Sequence, residues 1–223
     1  MTDAGGEEGG LGGTAVIVSI SRELGAGGLS VGEAIAAALG ATLLDERAML
    51  EQLAARVDLP RDYIAEHVER PPSAGSRLIA DLAAATAMVP VMQTWLQPEE
   101  QIVAAVREIV VESAQGGHVV VLGHGGVSLL GWRPAGIPVL AILLRASRAW
   151  RVAQLVRRLG IDLAEAERRI ARSDEARQRY QRHYFNTDLY DSRQYDLVLC
   201  TETLGLPHAI ALAVETAKTS ATS

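Results

Sequence analysis

Ten residues near the start of the chain, Ser21-Arg22-Glu23-Leu24-Gly25-Ala26-Gly27-Gly28-Leu29-Ser30, have the composition of a phosphate cradle. They join an apolar run, Ala15 to Ile20, to an alanine-rich run that stops at Gly40. Glycines in a strand-to-helix turn let backbone N–H groups approach an anion closely, and the helix that follows adds unpaired N–H groups and the positive end of its dipole. In the pattern G-x-x-x-x-G-K-[S/T], a lysine then reaches the terminal phosphates and a hydroxyl meets magnesium. Here Gly28 stands at the lysine position, and the one lysine of the chain is Lys218, near its end. Arg22 is the nearest cation and the candidate for closing over the β- and γ-phosphates. Ser30 is the candidate magnesium ligand. The competing reading is a tight turn with a solvated Arg22.

Other residues invite chemistry of the same kind. Asp45 follows the apolar run Thr42 to Leu44, at the carboxyl edge where open α/β sheets bind ligands. Its carboxylate suits a sugar hydroxyl or a magnesium-bound water; it equally suits the N-cap of a helix starting near Glu46, and the two roles are compatible. Arg47 could grip an acceptor phosphate through a bidentate contact. Eleven of the twenty arginines fall between Arg145 and Arg182, which predicts a local positive field in a chain of net charge −6. Arginines delivered by a closing lid stabilise the charge that spreads over a phosphoryl group in transfer. For any single arginine here, a solvated ion pair with Glu165, Glu167 or Glu175 is the alternative. RNA contact is disfavoured, since Tyr180 and Tyr184 are the only aromatic platform in the segment. Cys200 reads as a small buried strand residue.

These side chains need a scaffold, and the pattern of apolar runs supplies one. Ala15 to Ile20, Thr42 to Leu44, Val119 to Leu122, Val139 to Leu144 and Leu197 to Cys200 are short and continuously apolar, as parallel strands covered on both faces must be. Helical spacing recurs between them: over 29–39 before Gly40, over 99–115, through Val152, Leu155, Val156 and Leu159 before Gly160, and over 207–218. Alternation of this kind predicts an α/β fold with a five-stranded parallel sheet. About seventy residues separate the second and third strands, more than one crossover helix needs. The spacing therefore predicts an inserted helical segment over 46–116, with a breaker run at Arg70 to Ser76, and a second, arginine-rich insertion over 147–194.

Composition sets outer bounds. At 223 residues and 48% hydrophobic content, the chain can bury one sizeable core, here assigned to a single domain over 14–219 between a glycine- and acid-rich leader over 1–13 and a tail over 220–223. One cysteine excludes an intramolecular disulfide framework and points to a reducing, cytoplasmic setting. No apolar run reaches membrane-spanning length. A homo-oligomer is left open.

Taken together, the loop over 20–39, the strand end Leu43-Leu44-Asp45, the turn Leu122-Gly123-His124-Gly125-Gly126 and the run Asp174-x-x-Arg177-x-x-Tyr180 with Asp191 and Tyr195 to Leu199 resemble the cytidylate kinase-like family of P-loop proteins. Its members commonly begin S-R-x-x-G-[S/A]-G-G, so the missing lysine is similar to a family trait. The resemblance implies a P-loop three-layer sandwich with helical acceptor-binding and lid insertions. ATP and Mg2+ would be the cofactors, held at Gly25, Ala26, Gly27, Gly28, Leu29 and Ser30, with a nucleoside monophosphate such as CMP or dCMP as acceptor. It further implies Arg172 and Arg177 as lid arginines beside Arg22, and Asp45, Arg47, His124 and Arg151 at the acceptor. His124 departs from the family's usual Gly-Arg at this place, and an imidazole cannot clamp phosphate as a guanidinium does. Altered specificity, a pH-sensitive contact, loss of transfer chemistry or a purely structural histidine all follow from that exchange. The corresponding alternatives for the whole protein are a nucleotide-binding regulatory module and a kinase for another small molecule.

Overall fold

A computed structural model describes residues 15–57, 98–129 and 136–222. The five apolar runs form β1 (Ile17–Arg22), β2 (Thr42–Leu44), β3 (Val119–Leu122), β4 (Val139–Arg145) and β5 (Leu197–Cys200). All pair in parallel, in the order β2-β3-β1-β4-β5. The helices are α1 (Gly28–Leu39), α2 (Glu46–Arg56), α3 (Pro98–Gln115), α4 (Gly126–Leu129), α5 (Arg148–Leu159), α6 (Leu163–Phe185), α7 (Thr201–Leu204) and α8 (Leu206–Thr222).

Alternation along each strand builds the three layers. Val18, Ile20, Val120 and Ile142 face one side of the sheet and pack with Val31 and Ile35 of α1 and with Ala209, Ala213 and Ala217 of α8. Ile17, Val119 and Val121 face the other side, against Met49 and Leu53 of α2 and Ile102, Val106 and Ile109 of α3. Successive residues of a strand point to opposite faces, so a continuously apolar strand can serve two cores at once. Ile17, Ile20, Ile35 and Ile109 are fully buried; each such side chain contributes roughly 1.5–3 kcal/mol. A smaller cluster of Val152, Leu155, Ala166 and Ile170 holds α5 against α6.

The helix stops lie where the glycines predict. Gly40 and Gly160 adopt left-handed φ values of 62° and 64°, and their N–H groups donate to Ala36 and Val156. β1 runs two residues past the apolar stretch, because its pairing with β4 continues as Ser21 opposite Leu143 and Arg22 opposite Leu144. Arg22 is therefore a strand residue. Described residues of the 46–116 segment belong to α2 and α3; the breaker run at 70–76, the leader and Trp95 and Trp132 lie outside the described residues. From β1 the chain goes on to β2 on one flank of the sheet, and from β3 it crosses to β4 on the other. Such a reversal leaves a crevice at the carboxyl ends of β1 and β3, where ligands of open α/β sheets bind.

Candidate active site

The loop after β1 opens with two backbone anchors: the Glu23 N–H donates to Leu144 at 3.0 Å, and the Ala26 N–H donates to Glu23 at 3.1 Å. Gly25 and Gly27 then take φ values of 89° and 88°, which favour glycine. Space beside both is tight. A Cβ on Gly25 would lie 2.8 Å from Leu155 and 3.0 Å from the Arg151 carbonyl, and one on Gly27 would lie 2.5 Å from Leu206. Gly27 is the N-cap of α1, with no side-chain cap bond and no acidic residue in the first turn. The start of α1 thus keeps the electrostatic character that suits an anion.

A cleft of about 540 Å³ opens over this loop, within the size range of small-molecule sites. One wall carries Arg22, Gly25, Gly27, Gly28 and Leu29; another carries Asp45, Arg47 and Leu50; Arg158 and Arg177 close it from α5 and α6. Three guanidinium-bearing residues from three separate elements, Arg22, Arg158 and Arg177, line it together with Arg47. Asp45 also caps α2, accepting from the Ala48 N–H at 2.8 Å. The two readings of Asp45 coexist in the geometry. Ser30, the third residue of α1, is half-buried and is not among the residues lining the cleft, and Ala26 is buried beneath the loop.

His124 lies elsewhere. It is 1% exposed and lines a small adjoining pocket of about 20 Å³ with Ser21, Arg22, Arg177, Tyr180 and Gln181. Three successive residues, Gly123, His124 and Gly125, have φ values of 91°, 54° and 67°. A non-glycine residue held there costs on the order of 1–3 kcal/mol, and surrounding packing must hold it. That packing is visible at Gly125, where a Cβ would lie 2.5 Å from Phe185 and 3.0 Å from Tyr180. Arg22 and Arg177 border both pockets, whereas His124 is not among the residues lining the cleft.

Arg151 is placed differently from the acceptor-facing position its sequence match implies. Its side chain is 6% exposed, and its guanidinium donates to the Ala146 carbonyl at 3.1 Å, the Leu24 carbonyl at 3.3 Å and Asp174 at 2.8 Å. Glu23 lies 3.5 Å away and accepts from the Ala146 N–H at 2.9 Å, while the Leu24 N–H points to Asp174 at 3.5 Å. One buried guanidinium therefore ties the glycine loop after β1, the end of β4 and α6 together. Asp174 serves this tie and sits one helical turn before Arg177 on α6. Arg172 is exposed and outside the cleft. Arg168 and Arg169 pair with Glu165, and Arg179 pairs with Glu175, as solvated side chains do.

Three contributors were missed by sequence reasoning. Arg158 lies seven residues, two turns, after Arg151 on α5, and that spacing was the available signal. Glu23 acts through its bond to Ala146, which nothing local announces. Tyr190 is the third. Although 41% of it is exposed, partial burial with the Asp174 and Glu23 carboxylates nearby pushes its phenol up to about 12. Cys200 is half-buried and not buried; hydrogen bonding from Thr203 holds its thiol below the usual range.

Known proteins resemble this chain over most of its length. Residues 17–203 match the model of the cytidylate kinase-like family. A cytidylate kinase from Pyrobaculum aerophilum is 24% identical over 205 residues, covering 92% of this chain and 94% of that protein. Another from Pyrobaculum islandicum is 24% identical over 200 residues, covering 90% and 91% respectively. A solved structure of an uncharacterized protein from Eubacterium ventriosum ATCC 27560 shares the fold, with a TM-score of 0.61 at 15% identity, covering 91% of this chain and 98% of that one.

Proposed function

Because the chain belongs to the cytidylate kinase-like family, we propose that it moves the γ-phosphoryl group of Mg-ATP to a nucleoside monophosphate, with CMP and dCMP as the first acceptors to test. The observation that carries this reading is the convergence of Arg22, Arg158 and Arg177 on the cleft above a glycine cradle, with Asp45 and Arg47 on the adjoining wall. The cradle fits a polyphosphate, since Gly25 and Gly27 hold the left-handed backbone that lets loop N–H groups approach an anion and the start of α1 has no acidic residue. Magnesium bound with a nucleotide needs only one or two protein oxygens; Asp45 is the candidate on the cleft wall, and Ser30, the sequence candidate, does not line it.

Magnesium supplies charge neutralisation across the phosphates. Loop N–H groups and Arg22 hold the donor polyphosphate, and Arg177, delivered by α6, offsets the charge on the moving group. Arg47 and Asp45 orient the acceptor, so that an acceptor phosphate oxygen attacks in line as the bond from γ-phosphorus to the β–γ bridging oxygen breaks. No covalent enzyme intermediate is needed. We assign the work to one domain over 14–219, with 46–116 as the acceptor segment and 147–194 as the lid. No helix among the described residues is long and apolar enough to cross a membrane, and one cysteine suits a reducing cytoplasm.

The position of His124 favours a second reading, a nucleotide-binding regulatory module without transfer, because the residue that replaces the family's arginine does not line the cleft. A coupled assay with Mg-ATP and a panel of nucleoside monophosphates and other small acceptors separates the two. Turnover with CMP supports the kinase. ATP binding with no turnover on any acceptor supports the module, and turnover confined to a different acceptor transfers the same machinery to another substrate.

A further inference from the structure

Gly28 is a glycine for a different reason from its neighbours. Gly25 and Gly27 need left-handed backbone, but Gly28 is an ordinary helical residue, the first of α1. Its φ is not left-handed, so the backbone does not require glycine there. Space does. A Cβ at position 28 would lie 2.8 Å from Arg22 Cγ, 3.2 Å from its Cβ and 3.3 Å from its Cδ. All three aliphatic carbons of the Arg22 side chain thus run across the bare Cα of Gly28. Arg22 itself is held at the end of β1 by pairing with Leu144 of β4, and it borders both the cleft and the small adjoining pocket beside Arg177.

We propose that Gly28 is a positioning residue for Arg22, and that the two form an interchanged pair. The phosphate-binding cation has moved from the first residue of the helix to the last residue of the strand, and position 28 is empty so that the arginine can cross it. This rests on the phosphate-cradle reading of the loop. A guanidinium delivered from a strand offers two coplanar donors to phosphoryl oxygens, where a lysine on the helix offers a point charge. Arginine at 22 and any side chain at 28 compete for one volume; lysine at 28 is compatible only with a small residue at 22.

The test is a double-mutant cycle read by ATP affinity and by the rate of transfer to the best acceptor, with the melting temperature as a check of folding. Gly28→Ala is expected to lower turnover about 10- to 100-fold through misplacement of Arg22, without loss of melting temperature. Arg22→Ala is expected to lower it about 100- to 1,000-fold. The Arg22→Ala/Gly28→Ala double variant should be no worse than Arg22→Ala, because the side chain that alanine displaces is gone. Arg22→Ala/Gly28→Lys should regain at least about tenfold over Arg22→Ala, by rebuilding the lysine form of the loop. Additive losses in the first double variant, or full activity in Gly28→Ala, overturn the pairing while leaving the cradle intact. Absence of nucleotide binding by the unaltered protein overturns the cradle, and the pairing with it.

Discussion

Arg151 shows how one buried side chain can hold several elements together beside a cleft. An arginine on the helix after β4, in a chain that resembles a kinase family, invites assignment to the acceptor, yet its partners are the Leu24 carbonyl, Asp174, Glu23 and the Ala146 carbonyl. The sequence could not reveal this, because the Leu24 contact spans 127 positions and the whole guanidinium is buried. Removing one member of a buried charged set leaves the others unpaired, which costs about 3 kcal/mol or more. Arg151→Met should therefore lower stability by about 3 kcal/mol in urea unfolding, whereas Arg168→Ala, whose partner is a solvated Glu165, should leave it unchanged. Tyr190 gives a pH signature at the same place. Its phenol is raised from 10.0 to about 12 in the folded protein. The folded state thus holds its proton more tightly than the unfolded state does, so this contribution is intact below pH 10 and is lost as pH rises towards 12. Melting temperatures measured from pH 9 to pH 12 should fall less steeply in Tyr190→Phe; parallel curves would show that the phenol is not coupled to folding.

Among the elements, α2 carries a residue with two separable duties. Asp45 caps the helix through its bond to the Ala48 N–H and also borders the cleft. Asparagine keeps the cap and removes the charge, while alanine removes both. Asp45→Asn should keep its melting temperature and lose transfer activity if the carboxylate meets the acceptor or its magnesium. Asp45→Ala should in addition lose about 1 kcal/mol of stability. Equal activity of Asp45→Asn and the unaltered protein would confine the residue to capping. The glycine-rich turn between β1 and α1 was legible in the sequence because glycine spacing and a strand-to-helix transition are local. The turn at His124 was not, since its inward placement depends on three successive left-handed residues and on Phe185 and Tyr180 packing against Gly125. Arg177 could be selected by likeness to a family, but Arg158 emerged only once α5 had a direction relative to the cleft.

The whole molecule works as a parallel sheet whose central strand delivers a cation to its own crevice. Apolar runs and intervening helical periods were enough to foresee five strands and two covered faces, because those patterns respond to burial on each side. The strand order β2-β3-β1-β4-β5, and with it the meeting of Arg22, Asp45 and Arg177, depends on long-range pairing that spacing along the chain does not encode. The arginine-rich α6 then divides into a majority of solvated pairs and one member, Arg177, that faces the site, a partition set by which side of the helix α5 and the loop cover. The claim that joins these levels is that a lysine-free loop drives transfer with Arg22. Single-turnover transfer of labelled γ-phosphoryl from Mg-ATP to CMP, compared between the unaltered protein and Arg22→Ala at saturating ATP, tests it most directly. The expected result is formation of labelled CDP by the unaltered protein and a rate about 100- to 1,000-fold lower in the variant; equal rates in the two proteins, or ATP bound with no labelled product from either, would contradict it.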